Sequence, residues 1–148
     1  PLIFIDFPDP YNLHVAKLFT RQFYQLVFSA LSPQGTVVVQ STSPLFNTDV
    51  FHCIGKTLES AGFAPIPLQV SMKTFESWGF HIANRELSKS QVQKNLLDFS
   101  PSVPTKFLDR DSLVSSLYLG KDLRRDDKSV PVYDLHRLIL TDLYRKGL

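Results

Sequence analysis

The stretch LIFIDFPDP (residues 2–10) decides the fold that we predict for this chain. Its first part, Leu2 to Phe7, is apolar at every position except Asp6, whereas a strand with one face in water alternates apolar and polar residues. Continuous apolar runs are typical of parallel strands that helices cover on both faces. Two acids, Asp6 and Asp9, come at its end beside two prolines that stiffen the backbone. The stretch therefore predicts a buried strand that ends in a rigid acidic turn.

The segments that follow alternate between helix and strand. Apolar residues at helical spacing predict a helix over about 13–31, and SPQG (residues 32–35) supplies the proline and glycine that end it. TVVVQ (residues 36–40) is a second β-branched strand. A further helix begins at about Asp49 and stops near Gly62. This order predicts right-handed crossovers and a parallel sheet.

Two strictly alternating segments then change the pattern. PIPLQVSM (residues 65–72) and WGFHIAN (residues 78–84) each place apolar side chains on one face, and the short loop KTFES (residues 73–77) joins them. Such a pair predicts an antiparallel hairpin at the edge of the sheet. The fold class is therefore α/β.

The remainder of the chain predicts packing helices. Ser88 caps a helix that runs to about Leu97, and a second helix covers RDSLVSSLYL (residues 110–119). The segment 132–148 carries apolar residues at helical spacing, namely Leu135, Leu138, Ile139 and Leu143. We expect residues 1–86 to form the main unit and residues 87–148 a helical extension packed on it.

Composition argues against several kinds of function. The net charge of +2 is small and the basic residues are scattered, so nothing favours nucleic-acid binding. The single cysteine, Cys53, excludes an intramolecular disulfide and fits a reducing compartment, so we expect a cytoplasmic domain. The four histidines lack the spacing of metal ligands, and no metal is predicted. There is neither a run of about 18 apolar residues nor a signal peptide.

Polar side chains follow both parallel strands, where open α/β sheets bind their ligands. Asp6 and Asp9 come after the first strand, and Gln40, Ser41 and Ser43 come at the end of the second. An ordinary helix cap or a polar turn would explain the acids equally well. No glycine-rich phosphate loop occurs in the sequence. Either the chain is no nucleotide enzyme, or the half that binds the nucleotide is missing.

Four motifs in a fixed order resemble the polyamine aminopropyltransferases, the spermidine synthase family. They are DFPDP (residues 6–10), LFTRQFY (residues 18–24), QSTSP (residues 40–44) and SWGFHIAN (residues 77–84). The resemblance covers residues 1 to about 86. It implies the C-terminal half of a Rossmann-like sheet of the class I methyltransferase type, with an antiparallel edge hairpin and C-terminal helices.

The resemblance also implies a reaction, in which an aminopropyl group passes from decarboxylated S-adenosylmethionine to a diamine such as putrescine. The sulfonium nucleoside is then a co-substrate, and no prosthetic group is implied. Asp6 becomes the general base, in a buried setting that raises the basicity of its carboxylate. Asp9 binds a substrate amine, Gln40 lines the diamine site and Trp78 forms an apolar wall. For Trp78 a core-packing role, and for Gln40 a bond to the neighbouring loop, remain open.

Several departures from the family pattern leave alternatives open. Phe7 stands where the family has Ser or Thr, and the spacer before LFTRQFY is one residue longer than usual. The glycine-rich loop is absent, and the chain starts abruptly inside a strand, so we expect a fragment that is inactive in isolation. The alternatives are a methyltransferase that uses intact S-adenosylmethionine, or an inactive homologue that serves as an interaction domain.

The resemblance carries two further expectations about the assembly. The family forms dimers or tetramers, so a homo-oligomer is expected, although nothing in the sequence fixes its size. The tail from about residue 106 resembles a long-chain subgroup whose members often bear an N-terminal membrane domain. The resemblance leaves open whether such a membrane domain precedes this part in the full-length protein.

Overall fold

A computed structural model describes residues 1–71 and 77–147 as a sheet with helices packed on it. The strands are β1 (Leu2–Ile5), β2 (Thr36–Gln40), β3 (Ile66–Ser71) and β4 (Ser77–Asn84). The helices are α1 (Leu13–Ala16), α2 (Arg21–Ala30), α3 (Thr48–Ser60), α4 (Lys89–Leu97), α5 (Arg110–Ser116) and α6 (Leu140–Gly147). Short 3₁₀ turns lie at Lys17–Phe19, Lys121–Leu123 and Asp127–Ser129.

Within residues 1–71 and 77–147, the sheet has four strands in the order β1-β2-β4-β3. β1 runs parallel to β2, with Ile5 opposite Val39, and β4 runs antiparallel to β2, with Phe80 opposite Gln40. β3 pairs antiparallel with β4 and forms the far edge. The predicted parallel pair and the antiparallel edge hairpin are therefore both confirmed. Met72 and residues 73–76 of the predicted hairpin lie outside the described residues.

The prediction that β1 is buried on both faces is wrong for the described residues. Ile5 belongs to the core cluster, but Leu2 is 64% exposed and Phe4 is 58% exposed. Successive side chains of a strand point to opposite faces, so Leu2 and Phe4 lie on the face opposite Ile5. The core cluster takes Ile5, Val37 and Val39 from one face of the sheet and joins them to α2 and α3. One face of β1 is therefore core, and the other is open.

The single helix predicted over residues 13–31 is interrupted at Thr20. The Thr20 backbone is extended, with φ −73° and ψ 155°. Its hydroxyl donates to the Lys17 carbonyl at 2.8 Å and accepts from the Phe23 amide at 3.4 Å. A threonine whose side chain bonds the neighbouring backbone favours a helix start over a helix interior. Apolar spacing alone does not detect this break, because Thr20 is itself buried.

Helix α3 agrees with the prediction at both ends. It begins at Thr48, one residue before the expected start, and its last residue is Ser60. Gly62 follows with φ +103°, in the left-handed region where glycine ends helices at no steric cost. The α3 side chains that face the sheet supply Val50, Ile54 and Leu58 to the core.

The C-terminal helices agree in part with the helices predicted from the sequence. Ser88 caps α4 in a reciprocal capping box with Gln91, as predicted, and α5 lies inside the predicted segment. The helix predicted over 132–148 begins only at Leu140. Before it, the Asp134 carboxylate accepts from the His136 amide at 2.8 Å and the Asp134 carbonyl from the Arg137 amide at 3.1 Å, which closes a turn.

The C-terminal segment is part of the main core. Tyr133 and Leu140 are fully buried in the same cluster as β2 and α3, and Tyr133 N donates to the hydroxyl of Thr57 at 3.0 Å. Helix α6 thereby reaches the edge of the sheet where β1 and β2 end. Within residues 1–71 and 77–147, no helix combines the length and apolarity needed to cross a bilayer.

Candidate active site at the ends of β1 and β2

A cavity of about 290 Å³ opens where β1 and β2 end at their carboxyl termini. It takes its walls from the turn after β1, the turn after β2, the start of β4 and α6. The lining residues are Asp9, Gln40, Thr42, Ser43, Phe46, Asn47, Trp78 and Tyr144. Of the four residues to which the family resemblance gives a role, three, Asp9, Gln40 and Trp78, therefore lie around one space.

Asp9 is half-buried in a turn that its neighbours restrict. Pro8 and Pro10 flank it, and the Tyr11 amide donates to the Asp9 carbonyl at 2.7 Å. The Tyr144 hydroxyl donates to Asp9 Oδ2 at 3.1 Å across the cavity wall. Burial, together with the charge of Asp9 and this hydrogen bond, raises the pKa of Tyr144. The phenol is therefore held in its donating form beside a carboxylate.

The turn after β2 is clamped onto β4. Ser41 N donates to the Gly79 carbonyl at 2.8 Å, and Gly79 N donates to the Thr42 carbonyl at 2.7 Å. A Cβ at residue 79 would come within 2.6 Å of the Phe51 ring and 2.9 Å of the Thr42 carbonyl, so only glycine fits. Thr42 has φ +64°, a left-handed conformation that is rare for a β-branched residue. The clamp holds this strained turn at the cavity.

Three buried side-chain oxygens around the cavity have no hydrogen-bond partner among the described residues. They are Gln40 Oε1, Thr42 Oγ1 and Asn47 Oδ1. An orphaned buried polar group costs about 1–3 kcal/mol. Amide oxygens only accept hydrogen bonds, and a carboxylate at neutral pH only accepts them as well. Together with Asp9, the wall is therefore rich in acceptors and suits a ligand rich in N–H donors.

Trp78 and Gln40 occupy different depths of the cavity. Trp78 sits on β4 opposite Val70 and is 39% exposed, so it presents an open apolar surface and not a packed core ring. Gln40 is buried at the end of β2. Its orphaned Oε1 shows that this oxygen does not bond the neighbouring loop within the described residues.

Asp6 lies apart from the other three predicted residues. It directly follows β1, is exposed and does not line the cavity. The expectation that Asp6 sits in a buried setting is therefore not met in the described structure. The Phe7 side chain packs against aromatic residues before and within α2: its ring centroid lies 6.1 Å from that of Phe19 and 5.7 Å from that of Phe23. The phenyl ring anchors the turn on the α2 side, where a Ser or Thr would leave a gap.

The buried side chain of His81 contacts the turn that follows β2. His81 on β4 stacks on Phe51 with 4.5 Å between ring centroids. The Ser41 hydroxyl donates to the Val39 carbonyl at 3.0 Å, so His81 Nδ1, 2.9 Å from Ser41 Oγ, is the donor of the pair. Burial, reinforced by the nearby His52 and Lys89, lowers the pKa of His81 to about 3. His81 is therefore a neutral structural residue.

Sequence reasoning missed Thr42, Asn47 and Tyr144. Thr42 lies inside the QSTSP motif, so the motif itself was the available signal. Asn47 holds the N-cap position of α3, yet its side chain makes no cap hydrogen bond. In the sequence, an asparagine at the start of a helix is explained by capping alone, so nothing indicates a place at the cavity. Tyr144 is 135 residues from Asp9, and no local pattern connects the two.

Fold and cavity together define the class of protein: an α/β domain of the methyltransferase-like type with an acceptor-rich site at the strand ends. A spermidine synthase crystallised with the transition-state analogue AdoDATO has this fold, with TM-score 0.58 and 18% identity over 72% of this chain and 38% of that chain. The spermidine synthase from Thermotoga maritima matches at the same TM-score over 72% of this chain and 37% of that chain.

Sequence comparison identifies the family. Residues 2–95 match the spermine/spermidine synthase domain. The polyamine aminopropyltransferase of Oceanobacillus iheyensis is 35% identical over 95% of this chain and 26% of the relative. Polyamine aminopropyltransferase 1 of Streptomyces coelicolor is 35% identical over 84% of this chain and 23% of the relative. The chain belongs to the spermine/spermidine synthase family, and it spans about a quarter of the length of these curated relatives.

Proposed function

We propose that this chain forms the amine-binding side of an aminopropyltransferase, which moves an aminopropyl group from decarboxylated S-adenosylmethionine to a diamine such as putrescine. The observation that carries the proposal is the cavity, which Asp9 lines together with Gln40, Thr42 and Asn47, each of which has an orphaned side-chain oxygen. An ammonium group supplies three N–H donors and a positive charge to such a wall. The names of the relatives and the AdoDATO complex support the same reaction.

The chemistry assigns a separate task to each acid. An alkyl ammonium has a pKa of about 10, so most of the amine is protonated at neutral pH and cannot attack carbon. We propose that Asp9 binds the amine and that Asp6 removes its proton as general base. The nitrogen then attacks the propyl carbon next to the sulfonium; the C–N bond forms, the C–S bond breaks, and its electron pair stays on sulfur, which leaves as a neutral thioether.

The exposure of Asp6 sets a condition on this step. A carboxylate in water is a weak base, with a pKa of roughly 4, and desolvation strengthens it. Asp6 directly follows β1 and is exposed, so bound substrates would have to cover it. Gln40 then lines the diamine site, and the exposed face of Trp78 contacts its methylene chain.

We also propose how this chain relates to the remainder of the enzyme. Residues 1–86 supply the amine side of the catalytic domain, and residues 87–148 are an extension of it. The burial of Tyr133 and Leu140 in the common core supports the packing of this extension on residues 1–86. The sulfonium nucleoside binds mainly through residues outside this chain. Homo-oligomer formation and a cytoplasmic catalytic domain stay predictions, and an upstream membrane domain stays an open alternative.

The test assays the full-length protein with both sulfonium donors. We expect aminopropyl transfer to putrescine, a rise of at least about tenfold in the diamine KM for Asp9→Asn, and a kcat lowered at least about a hundredfold for Asp6→Asn. The matched control is Asp111→Asn, an exposed acid on α5, which should leave both constants unchanged.

Two results would overturn the proposal. Methyl transfer from intact S-adenosylmethionine without aminopropyl transfer would identify a methyltransferase. Turnover that is unaffected in both Asp6→Asn and Asp9→Asn would remove the acids from the reaction.

A further inference from the structure

The Tyr144 hydroxyl connects the last helix of the chain to the candidate site. It donates to Asp9 Oδ2 at 3.1 Å, and the Tyr144 side chain lines the same cavity as Gln40 and Trp78. The two bonded residues are 135 positions apart, so the contact exists only because the tertiary fold brings α6 to the strand ends. A hydrogen bond from a neutral donor to a carboxylate is charge-assisted and stronger than one between neutral groups.

Helix α6 is anchored firmly enough to hold that hydroxyl in place. Leu140 is fully buried, and Leu143 and Tyr144 pack against the same core cluster. Residues three and four apart share one face of a helix, so these three side chains bind α6 to the core along a single stripe. Tyr144 therefore cannot leave Asp9 by a rigid shift of α6 without uncovering Leu140.

The direction of the Asp9 carboxylate depends on its side-chain dihedral angles as well as on the backbone of the turn. Pro8 and Pro10 restrict the main chain, whereas rotation about the side-chain bonds sets the direction of the carboxylate. The hydrogen bond from Tyr144 restricts that rotation by holding one carboxylate oxygen.

We propose that Tyr144 is a positioning residue, which orients the Asp9 carboxylate that binds the substrate amine. The proposal rests on the proposed function, since it gives Tyr144 a role only through Asp9. It extends the site from the strand-end motifs to the C-terminal helix. Amine affinity then depends on α6, which lies beyond the part of the chain that matches the family domain, residues 2–95.

The test replaces Tyr144 by Phe in the full-length protein, which removes the hydroxyl and keeps the ring. We expect the diamine KM and the putrescine Kd from calorimetry to rise about tenfold, with kcat within about twofold of the wild type. Tyr118→Phe, at an exposed tyrosine beyond α5, is the matched control and should change none of these quantities.

A double-mutant cycle separates this inference from the proposed function. In an Asp9→Asn background, Tyr144→Phe should add less than about twofold to the putrescine Kd, because its effect passes through the carboxylate. If Asp9→Asn raises Kd and Tyr144→Phe does not, the positioning role is wrong while the proposed function stands. If Asp9→Asn itself leaves Kd unchanged, the proposed amine site is wrong. Equal effects of Tyr144→Phe in both backgrounds would also overturn the inference, since they indicate a general packing role.

Discussion

Single residues at the cavity carry costs that a protein evolved for stability alone would avoid. Thr42 holds a left-handed backbone conformation, and its hydroxyl is buried without a partner among the described residues. Strained conformations of this kind cost about 1–3 kcal/mol and cluster at ligand-binding sites. The orphaned oxygens of Gln40 and Asn47 add to that cost. A ligand that donates hydrogen bonds to these atoms would recover part of the lost free energy.

A substitution at Asn47 tests whether an orphaned oxygen lowers stability and contributes to ligand binding. Replacing Asn47 by Ala removes an orphaned oxygen from a cap position where the side chain makes no cap hydrogen bond. We expect the unfolding free energy to stay constant or rise by about 1 kcal/mol, while the diamine KM rises several-fold. Urea denaturation and steady-state kinetics measure the two effects.

Asn12→Ala is the matched control for Asn47→Ala. The Asn12 carboxamide oxygen accepts from the Val15 amide at 3.0 Å and caps α1, so its loss should lower stability by about 1 kcal/mol. A stability loss for Asn47→Ala as large as that for Asn12→Ala would show that the Asn47 oxygen has a partner in the protein.

His81 predicts a dependence of stability on pH. Its pKa is about 3 in the folded protein, mainly through burial, against 6.5 ordinarily. Between these values the unfolded chain binds a proton that the folded chain does not. The free energy of unfolding should therefore be highest above pH 6.5 and fall as the pH falls toward 3, by up to about 1.4 kcal/mol per unit.

The variant His81→Gln isolates this contribution. Its stability should change less between pH 6.5 and 5 than that of the wild type, a window in which few carboxylates titrate. His14→Gln, at an exposed histidine on α1, should keep the wild-type slope. Identical slopes for the wild type and His81→Gln in urea titrations would contradict the assignment of a neutral buried imidazole.

At the scale of elements, the sequence predicts structures that local patterns specify and misses those that side-chain contacts decide. β2, α3 and the hairpin follow from β-branched runs, a glycine stop and strict alternation, and all were predicted. The break at Thr20 and the turn at Asp134 were not, because each depends on one polar side chain bonding the nearby backbone. Apolar spacing continues through both positions and conceals the breaks.

The same distinction applies to the elements of the candidate site. Motifs at the ends of β1 and β2 predicted that Asp9 and Gln40 meet, because parallel neighbouring strands end at the same edge. The hairpin register explains why Trp78 joins them, since it places the start of β4 beside the turn after Gln40. Helix α6 was predicted as a packing element only. Its role at the cavity depends on tertiary contacts that no sequence pattern within α6 records.

At the scale of the whole molecule, helix α6 contributes side chains both to the hydrophobic core and to the candidate site. The face of the sheet that carries Ile5, Val37 and Val39 packs against α2, α3 and α6, and the cavity lies where α6 meets the strand ends. Interiors are close-packed, so a void at one helix is transmitted to its neighbours. Loss of core packing under α6 should therefore reach the amine site as well as the stability of the fold.

Leu140 and Leu135 provide a matched pair for that expectation. Leu140 is fully buried, so Leu140→Ala should lower the unfolding free energy by about 2–5 kcal/mol through lost burial and the cavity left behind. Leu135 is exposed in the turn before α6, and Leu135→Ala should stay within about 0.5 kcal/mol of the wild type. Because α6 also carries Tyr144, Leu140→Ala should weaken putrescine binding at temperatures where the protein is still folded, whereas Leu135→Ala should not. Urea denaturation measures the stability of both variants, and calorimetry measures their putrescine affinity. Equal stabilities would contradict the packing of α6 in the core. A destabilised Leu140→Ala protein with wild-type amine affinity would show that the site does not depend on this helix.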